Sequence, residues 1–83
     1  MIEIYLAESC PYCVKVREYM ERAGVPYVLK PVPLWGNTPL REELKRLGGK
    51  TQVPLLVDPG RNVKMYESDD IIAYVERHYA KLP

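Results

Sequence analysis

Two changes in the spacing of apolar residues, both within the first 30 residues, restrict the fold of this chain most strongly. Ile2, Ile4 and Leu6 alternate with other residues, and this period of two predicts a strand. After a turn, apolar residues recur three, four and seven positions apart, as on one face of a helix; they are Val16, Tyr19, Met20 and Ala23. Residues 26–30 predict a second strand. Because the connection is short, a right-handed crossover between parallel strands is expected.

A proline-rich loop and a second helix follow. Residues 31–39 hold three prolines and predict an irregular loop. Thr38, near the end of this loop, is suited to cap a helix, and Gly48-Gly49 is suited to end it. The apolar stripe of this helix consists of Leu40, Leu44 and Leu47.

The last third of the chain predicts a hairpin and a third helix. Residues 55–57 and 63–66 are short apolar segments that flank the turn-forming residues 58–62, so an antiparallel hairpin is expected. A helix from about residue 68 to residue 79 follows, with an inner face made of Ile72, Val75, Tyr79 and Leu82. Acids stand near its start and bases near its end, as the helix macrodipole favours; these are Asp69, Asp70, Arg77 and Lys81.

The predicted order of elements is β-α-β-α-β-β-α. Two parallel strands followed by a hairpin make a mixed four-stranded sheet with helices packed on its faces. This α/β architecture is that of the thioredoxin-like class. The length of 83 residues suits one small domain, which we expect to span residues 1–83.

Charge and hydropathy argue against several classes of protein. A net charge of +1, from 12 basic and 11 acidic residues, creates no field that would attract nucleic acid or an anionic membrane. No apolar run approaches the roughly 20 residues that cross a bilayer. The N-terminus lacks the basic and apolar segments of a signal peptide. We therefore expect a cytoplasmic protein, monomeric, with neither nucleic-acid nor membrane partners.

The motif Cys10-Pro11-Tyr12-Cys13 carries the strongest chemical signal. Two residues between cysteines at a helix start bring the thiols one turn apart, close enough to form a disulfide. Cys10 stands at the helix N-terminus, where unpaired N–H groups and the helix dipole favour a thiolate. Cys13 lies one turn further and is expected to be more shielded. The motif therefore predicts that Cys10 attacks a disulfide and that Cys13 resolves the resulting mixed disulfide.

Two other roles for these cysteines remain open from the residues alone. Structural zinc requires four ligands, and the only further cysteine or histidine is His78, on the last helix. Two inert buried cysteines are the second alternative, because cysteine often acts as a small apolar residue. Redox chemistry is favoured over both, and no metal ligand is assigned.

A strand, a Cys-Pro-Tyr-Cys motif that opens a helix, and Gln52-Val53-Pro54 ahead of a strand together resemble the glutaredoxin family. The resemblance extends from Ile2 to Tyr79. It departs from the family at Glu67-Ser68, where glutaredoxins have Gly-Gly followed by Cys, Ser or Thr and then Asp. Glu-Ser after Gln-Val-Pro is instead similar to the N-terminal domain of glutathione transferases. The resemblance implies glutathione as cosubstrate and no other cofactor.

The resemblance also implies a glutathione site made of two segments. A cis peptide bond before Pro54 would expose the backbone of Val53, beside Gln52, to the cleft, where an extended thiol peptide can pair with it. Ser68 and the N-terminus of the last helix would hold the γ-glutamyl carboxylate of glutathione. Glu67 would hold its ammonium group.

Three of the residues assigned to the glutathione site also have an ordinary structural explanation. Pro54 could merely begin a strand. Ser68 could cap the last helix without any ligand. Tyr12, which we assign as an aromatic wall of the groove, could equally be a packing residue.

The sequence thus predicts a glutathione-dependent thiol–disulfide oxidoreductase, with glutathione and disulfide-containing or glutathionylated proteins as its partners. Two rival functions remain. One is a protein-disulfide reductase recharged by a thioredoxin-reductase-like partner. The other is a non-enzymatic carrier of an iron–sulfur cluster or metal. Pro11 argues against the carrier, because in the family that role is commoner with Gly or Ser beside the first cysteine.

Overall fold

Within residues 1–80, which the computed structural model describes, three helices and four strands form in the predicted order. They are β1 Glu3–Leu6, α1 Pro11–Ala23, β2 Val28–Pro31, α2 Pro39–Gly48, β3 Leu55–Asp58, β4 Val63–Met65 and α3 Ser68–His78. None of these helices is long and apolar enough to cross a membrane. Lys81 and Leu82, predicted as a terminal base and an inner-face residue of the last helix, lie outside the described residues.

The strand ends differ from the prediction by one or two residues, because pairing with the neighbouring strand decides them. β2 begins at Val28 rather than at Pro26: the Val28 N–H donates the first hydrogen bond to the carbonyl oxygen of Ile2, 2.9 Å away. β3 includes Asp58, which the sequence pattern assigned to the turn, since Asp58 pairs with Val63 of β4. The turn is therefore one residue shorter than predicted.

The sheet has the strand order β2-β1-β3-β4. β1 pairs in parallel with β2 and antiparallel with β3, and β3 and β4 form the predicted hairpin. This register brings three chain segments to one end of the sheet. They are the segment after β1 with Cys10, the segment before β3 with Pro54, and the segment after β4 with Glu67. The predicted mixed sheet is confirmed, and its topology positions the candidate site.

Apolar layers pack on both faces of the sheet. On one face, α1 and α3 bury a core that includes Ile2, Ile4, Cys13, Val16, Met20, Leu56, Ile71 and Val75. On the other face, α2 covers a smaller core of Tyr5, Val32, Leu44, Leu55 and Val57. The sheet is thus the middle of three layers, and the central strands β1 and β3 are buried on both sides.

The inner face of α3 differs from the prediction. Ile71, which the apolar pattern did not single out, is fully buried together with Val75, whereas Ile72 and Tyr79 are only partly buried. The buried residues Ser68, Ile71 and Val75 are three and four positions apart, as helical geometry requires for one face. Two adjacent isoleucines present the same apolar character, so only packing against the sheet decides which of them faces inward.

Glycines cap the first two helices at their C-terminal ends, as Gly48-Gly49 predicted for the second. Gly24 (φ 68°) caps the C-terminus of α1 and Gly49 (φ 85°) caps that of α2, both in the left-handed conformation that favours glycine. The Oγ atom of Thr38 accepts a hydrogen bond from the Arg41 N–H, 3.3 Å away, and Pro39 is the first residue of α2. These local signals were sufficient because each depends only on neighbouring residues.

Candidate active site

Cys10 occupies the N-cap position of α1, directly before Pro11. Its carbonyl oxygen accepts the N–H of Val14 at 2.9 Å, whereas its side chain makes no capping hydrogen bond. The thiol is free and partly exposed. The first N–H groups of a helix lack intrahelical partners, and Cys10 directly precedes them.

Cys13 lies one turn further along α1 and is completely buried, with a free thiol. Its Sγ accepts a hydrogen bond from the Ala7 N–H at 3.3 Å. Burial raises the pKa of the Cys13 thiol to about 12, although the Ala7 N–H acts in the opposite direction. Cys13 is therefore protonated at neutral pH, and Cys10 is the thiol that an incoming disulfide can reach.

A cavity of about 590 Å³ lies beside the start of α1, between the segment before β3 and the start of α3. Its lining includes all six residues predicted to bind glutathione: Tyr12, Gln52, Val53, Pro54, Glu67 and Ser68. Neither cysteine is among the lining residues, but Tyr12, which stands between them in the chain, is. The lining also includes Asp69 and Asp70, which the sequence pattern explained only by the helix macrodipole.

The Val53–Pro54 peptide bond is cis, as the family resemblance implied. Within residues 1–80, the backbone N–H and C=O of Val53 make no hydrogen bond to another residue. Val53 precedes β3 and has no cross-strand partner in the sheet. Its backbone therefore offers one donor and one acceptor to an extended ligand in the cavity.

The start of α3 forms the opposite wall. Glu67 is the N-cap residue, with a backbone φ of 74° and no side-chain cap, and Ser68 is the first helical residue. The alternative in which Ser68 caps the helix is therefore wrong. A positive φ at a residue other than glycine is strained, and such residues concentrate at ligand clamps. The uncapped N–H groups of the first turn remain available to an anion.

The charged side chains that line the cavity are all acidic. Glu67, Asp69 and Asp70 contribute carboxylates, and no basic side chain of residues 1–80 lines the cavity. The Nε2 atom of Gln52 donates to a Glu67 carboxylate oxygen at 3.0 Å, which joins the two walls. Lys15 of α1 pairs with Asp69 at the exposed rim. An ammonium group of a ligand would therefore pair with the carboxylates of the cavity, and a carboxylate of a ligand would pair with the first N–H groups of α3.

Comparison with known proteins identifies the family. Residues 4–83 match the family model described as the N-terminal domain of glutathione S-transferase. The chain belongs to this family. Its fold agrees: an unclassified glutathione S-transferase of Bombyx mori superposes on 98% of the chain with a TM-score of 0.86, at 23% sequence identity. The matched part is 37% of the length of that transferase, and the thioredoxin-like fold is thereby confirmed.

The chain is also similar to glutaredoxins and to a glutaredoxin-like protein. Glutaredoxin 3 of Escherichia coli is 38% identical over 53 residues, which make up 64% of this chain and 61% of the relative. An uncharacterized glutaredoxin-like protein of 8.6 kDa from Clostridium pasteurianum is 27% identical over 77 residues, 93% of this chain and the whole of that relative. The resemblance to glutaredoxins with transferase-like features is thus confirmed. The similarity to glutaredoxin 3 extends over less than two thirds of either protein.

Proposed function

We propose that this chain is a glutathione-dependent thiol–disulfide oxidoreductase, with Cys10 as the nucleophile and Cys13 as the resolving thiol. The observation that carries the proposal is the unequal exposure of two free thiols one helical turn apart. Cys10 is partly exposed at the N-cap of α1, whereas Cys13 is buried and its pKa is raised to about 12. Kinship with glutaredoxins supports the same chemistry.

The proposed reaction with a glutathionylated protein has two steps. The Cys10 thiolate attacks the glutathione sulfur, so that a Cys10–glutathione disulfide forms and the protein leaves as a thiolate. The thiolate of a second glutathione then attacks this mixed disulfide, which releases oxidised glutathione and regenerates Cys10. One protein thiol is sufficient for this route.

A protein disulfide requires both cysteines. Attack by Cys10 forms a mixed disulfide with one substrate sulfur and releases the other as a thiolate. Cys13 then gives up its proton and attacks Cys10, so that the substrate leaves fully reduced and a Cys10–Cys13 disulfide remains. Two glutathione molecules reduce that disulfide and leave as oxidised glutathione.

The cavity supports glutathione as the recharging thiol. Glutathione is an extended thiol peptide, which suits the unpaired backbone N–H and C=O of Val53. Its γ-glutamyl end carries an ammonium group for Glu67, which Gln52 holds in place, and a carboxylate for Ser68 and the first N–H groups of α3. Tyr12 and Pro54 supply apolar parts of the cavity wall.

A coupled assay tests this proposal. We expect NADPH oxidation with a glutathionylated peptide as substrate when glutathione and glutathione reductase are present, and none when thioredoxin reductase replaces both. Cys10→Ser is the control for reaction at other sites and should be inactive. Turnover with thioredoxin reductase alone would contradict the proposal in favour of the rival protein-disulfide reductase.

Some expectations remain predictions. They concern a single domain over residues 1–83, a monomeric state, a cytoplasmic location and the identity of protein substrates. The rival function, a carrier of an iron–sulfur cluster or metal, also stays a prediction.

A further inference from the structure

We propose that Tyr66 is a positioning residue whose side chain joins the two walls of the cavity. There is room for this side chain only because residue 48 is a glycine. The kinetic effect that we predict depends on the proposed use of glutathione. The structural effect does not.

The Tyr66 side chain lies against the C-terminal end of α2 and reaches Lys50, two residues before Gln52. The ring packs against the core beneath α2. Its hydroxyl donates a hydrogen bond to the carbonyl oxygen of Lys50, 3.1 Å away, and the Lys50 Nζ atom lies 5.0 Å from the ring centroid. Tyr66 therefore fixes the start of the segment that leads through Gln52 to Val53.

Gly48 is needed where the Tyr66 ring approaches α2. A Cβ atom on Gly48 would lie 3.0 Å from the Cε2 atom of Tyr66, 2.7 Å from its Cζ atom, and closer still to its hydroxyl oxygen. Gly48 is the last residue of α2 and does not have the positive φ of the adjacent Gly49 (φ 85°). The backbone would thus accept alanine at position 48, and the requirement for glycine comes from the ring.

Two hydrogen bonds connect the segment before β3 with the start of α3. One joins Tyr66 to Lys50, and the other joins Glu67 to Gln52. Tyr66 is followed directly by Glu67, whose φ of 74° is unfavourable for a residue with a side chain. The Gln52 amide donates to the Glu67 carboxylate at 3.0 Å. Two adjacent links, 66 to 50 and 67 to 52, therefore hold the start of α3 against the segment before β3. Loss of the first link should displace Glu67 relative to Val53.

Four single variants, and one double variant described below, separate positioning from ordinary packing. Gly48→Ala displaces the ring, Tyr66→Phe removes only the hydroxyl, and Tyr66→Ala removes the ring. Gly60→Ala is the matched control, because its Cβ would meet only an Asp58 oxygen at 3.7 Å, and Gly60 also lacks a positive φ. Gly60 lies in the β3–β4 turn, away from the cavity.

The kinetic readout is KM for glutathione against kcat. Tyr66→Phe should raise this KM by about 2- to 12-fold, the range for one neutral hydrogen bond, and Gly48→Ala should raise it at least as much. The maximal rate and the rate of Cys10 alkylation should stay within about twofold, because α1 is not displaced. In the Tyr66→Ala background, Gly48→Ala should have no additional effect, since nothing remains for its Cβ to displace.

Hydrogen exchange gives a second readout that does not depend on glutathione. We expect faster amide exchange in Gly48→Ala and Tyr66→Phe at both residues 50–53 and residues 67–70, with no change in Gly60→Ala. Unchanged exchange at either segment would overturn the proposal even if the wild-type protein uses glutathione. Conversely, coupled changes in exchange with no glutathione turnover in the wild type would uphold the positioning role and reject the proposed function.

Discussion

Asp58 and Glu67 lie at opposite ends of the sheet, because β3 leads away from the cavity and β4 returns to it. Asp58 is 2% exposed, and its carboxylate accepts hydrogen bonds from the hydroxyls of Tyr74, at 2.7 Å, and of Tyr79. The Nε atom of Arg61 adds a charge 3.7 Å away. Glu67 is exposed, and its carboxylate has one hydrogen-bond partner among residues 1–80, the Gln52 amide.

These surroundings decide how Asp58 and its partners titrate. Burial by itself would raise the pKa of Asp58, but the hydrogen bonds from Tyr74 and Tyr79 and the charge of Arg61 outweigh burial and lower it. Burial, followed by the hydrogen bond to Asp58, raises the pKa of Tyr74 to about 12. Asp58 is therefore ionised at neutral pH, and its hydrogen-bond donors and its cationic partner all come from the protein itself.

The difference shows how a small chain separates stability from binding. At the Asp58 end, a buried polar group is fully satisfied and ties the end of β3 to Tyr74 of α3 and to Tyr79, which follows that helix. At the cavity end, the backbone of Val53 and the first N–H groups of α3 have no partner among residues 1–80. Groups that the fold leaves unpaired are available to a ligand, and groups that it pairs internally support the structure.

The largest effect should come from the thiols, at the cavity end. Cys10→Ser should remove activity on every disulfide substrate, because a hydroxyl is not ionised at neutral pH. Cys13→Ser should retain reduction of a glutathionylated peptide and lose reduction of a protein disulfide. Steady-state rates with the two substrates measure both effects. A Cys13→Ser protein as inactive as Cys10→Ser on the glutathionylated peptide would contradict the assigned roles.

The next effect should come from the wall of the cavity at the start of α3. Glu67→Ala and Ser68→Ala should each raise KM for glutathione by about 10- to 150-fold, the range for one charge-assisted hydrogen bond. Because Ser68 is not the cap of α3, its replacement should alter the melting temperature little. Asp58→Asn, at the opposite end, is the control and should leave KM unchanged. Unchanged KM in both cavity variants would remove glutathione from this site.

The smallest effect on activity, and the largest on stability, is expected at Asp58. Asp58→Asn should lower the free energy of unfolding by about 2 kcal/mol, as expected for hydrogen bonds to a charged group, whereas Asp70→Asn, on an exposed side chain, should lower it by less than about 1 kcal/mol. Denaturant unfolding at neutral pH measures both. Equal losses of unfolding free energy in the two variants would mean that burial and internal hydrogen bonds do not make Asp58 more stabilising than Asp70.

The pH dependence of the same variant follows from the sign of the shift. The pKa of Asp58 is lower in the folded protein than its usual value of 3.8, so the stabilisation is complete above that value. It is lost as the pH falls through the folded-state pKa. Wild-type protein should therefore lose stability more steeply below about pH 4 than Asp58→Asn does. Parallel curves of unfolding free energy against pH would contradict the assignment.

The sequence by itself determined the order of the elements, the roles expected of Cys10 and Cys13, and six of the residues that line the cavity, Tyr12 among them. These depend on local signals: a period of two or of three to four, a cysteine at a helix start, a cap such as Thr38, and a motif of the family. Each signal involves residues within about one or two helical turns of one another. Local conformation can therefore be predicted from the sequence.

Only the tertiary structure decided which residues meet across the fold. Gly48 and Tyr66 are brought together by the packing of α2 near the end of β4, and Asp58 meets Tyr74 and Tyr79 because α3 runs back along the sheet. Such contacts depend on strand order and register, which join residues far apart in the chain. A composition rich in turn formers therefore placed Asp58 in a turn, whereas pairing with β4 placed it in the sheet, buried beneath two tyrosines.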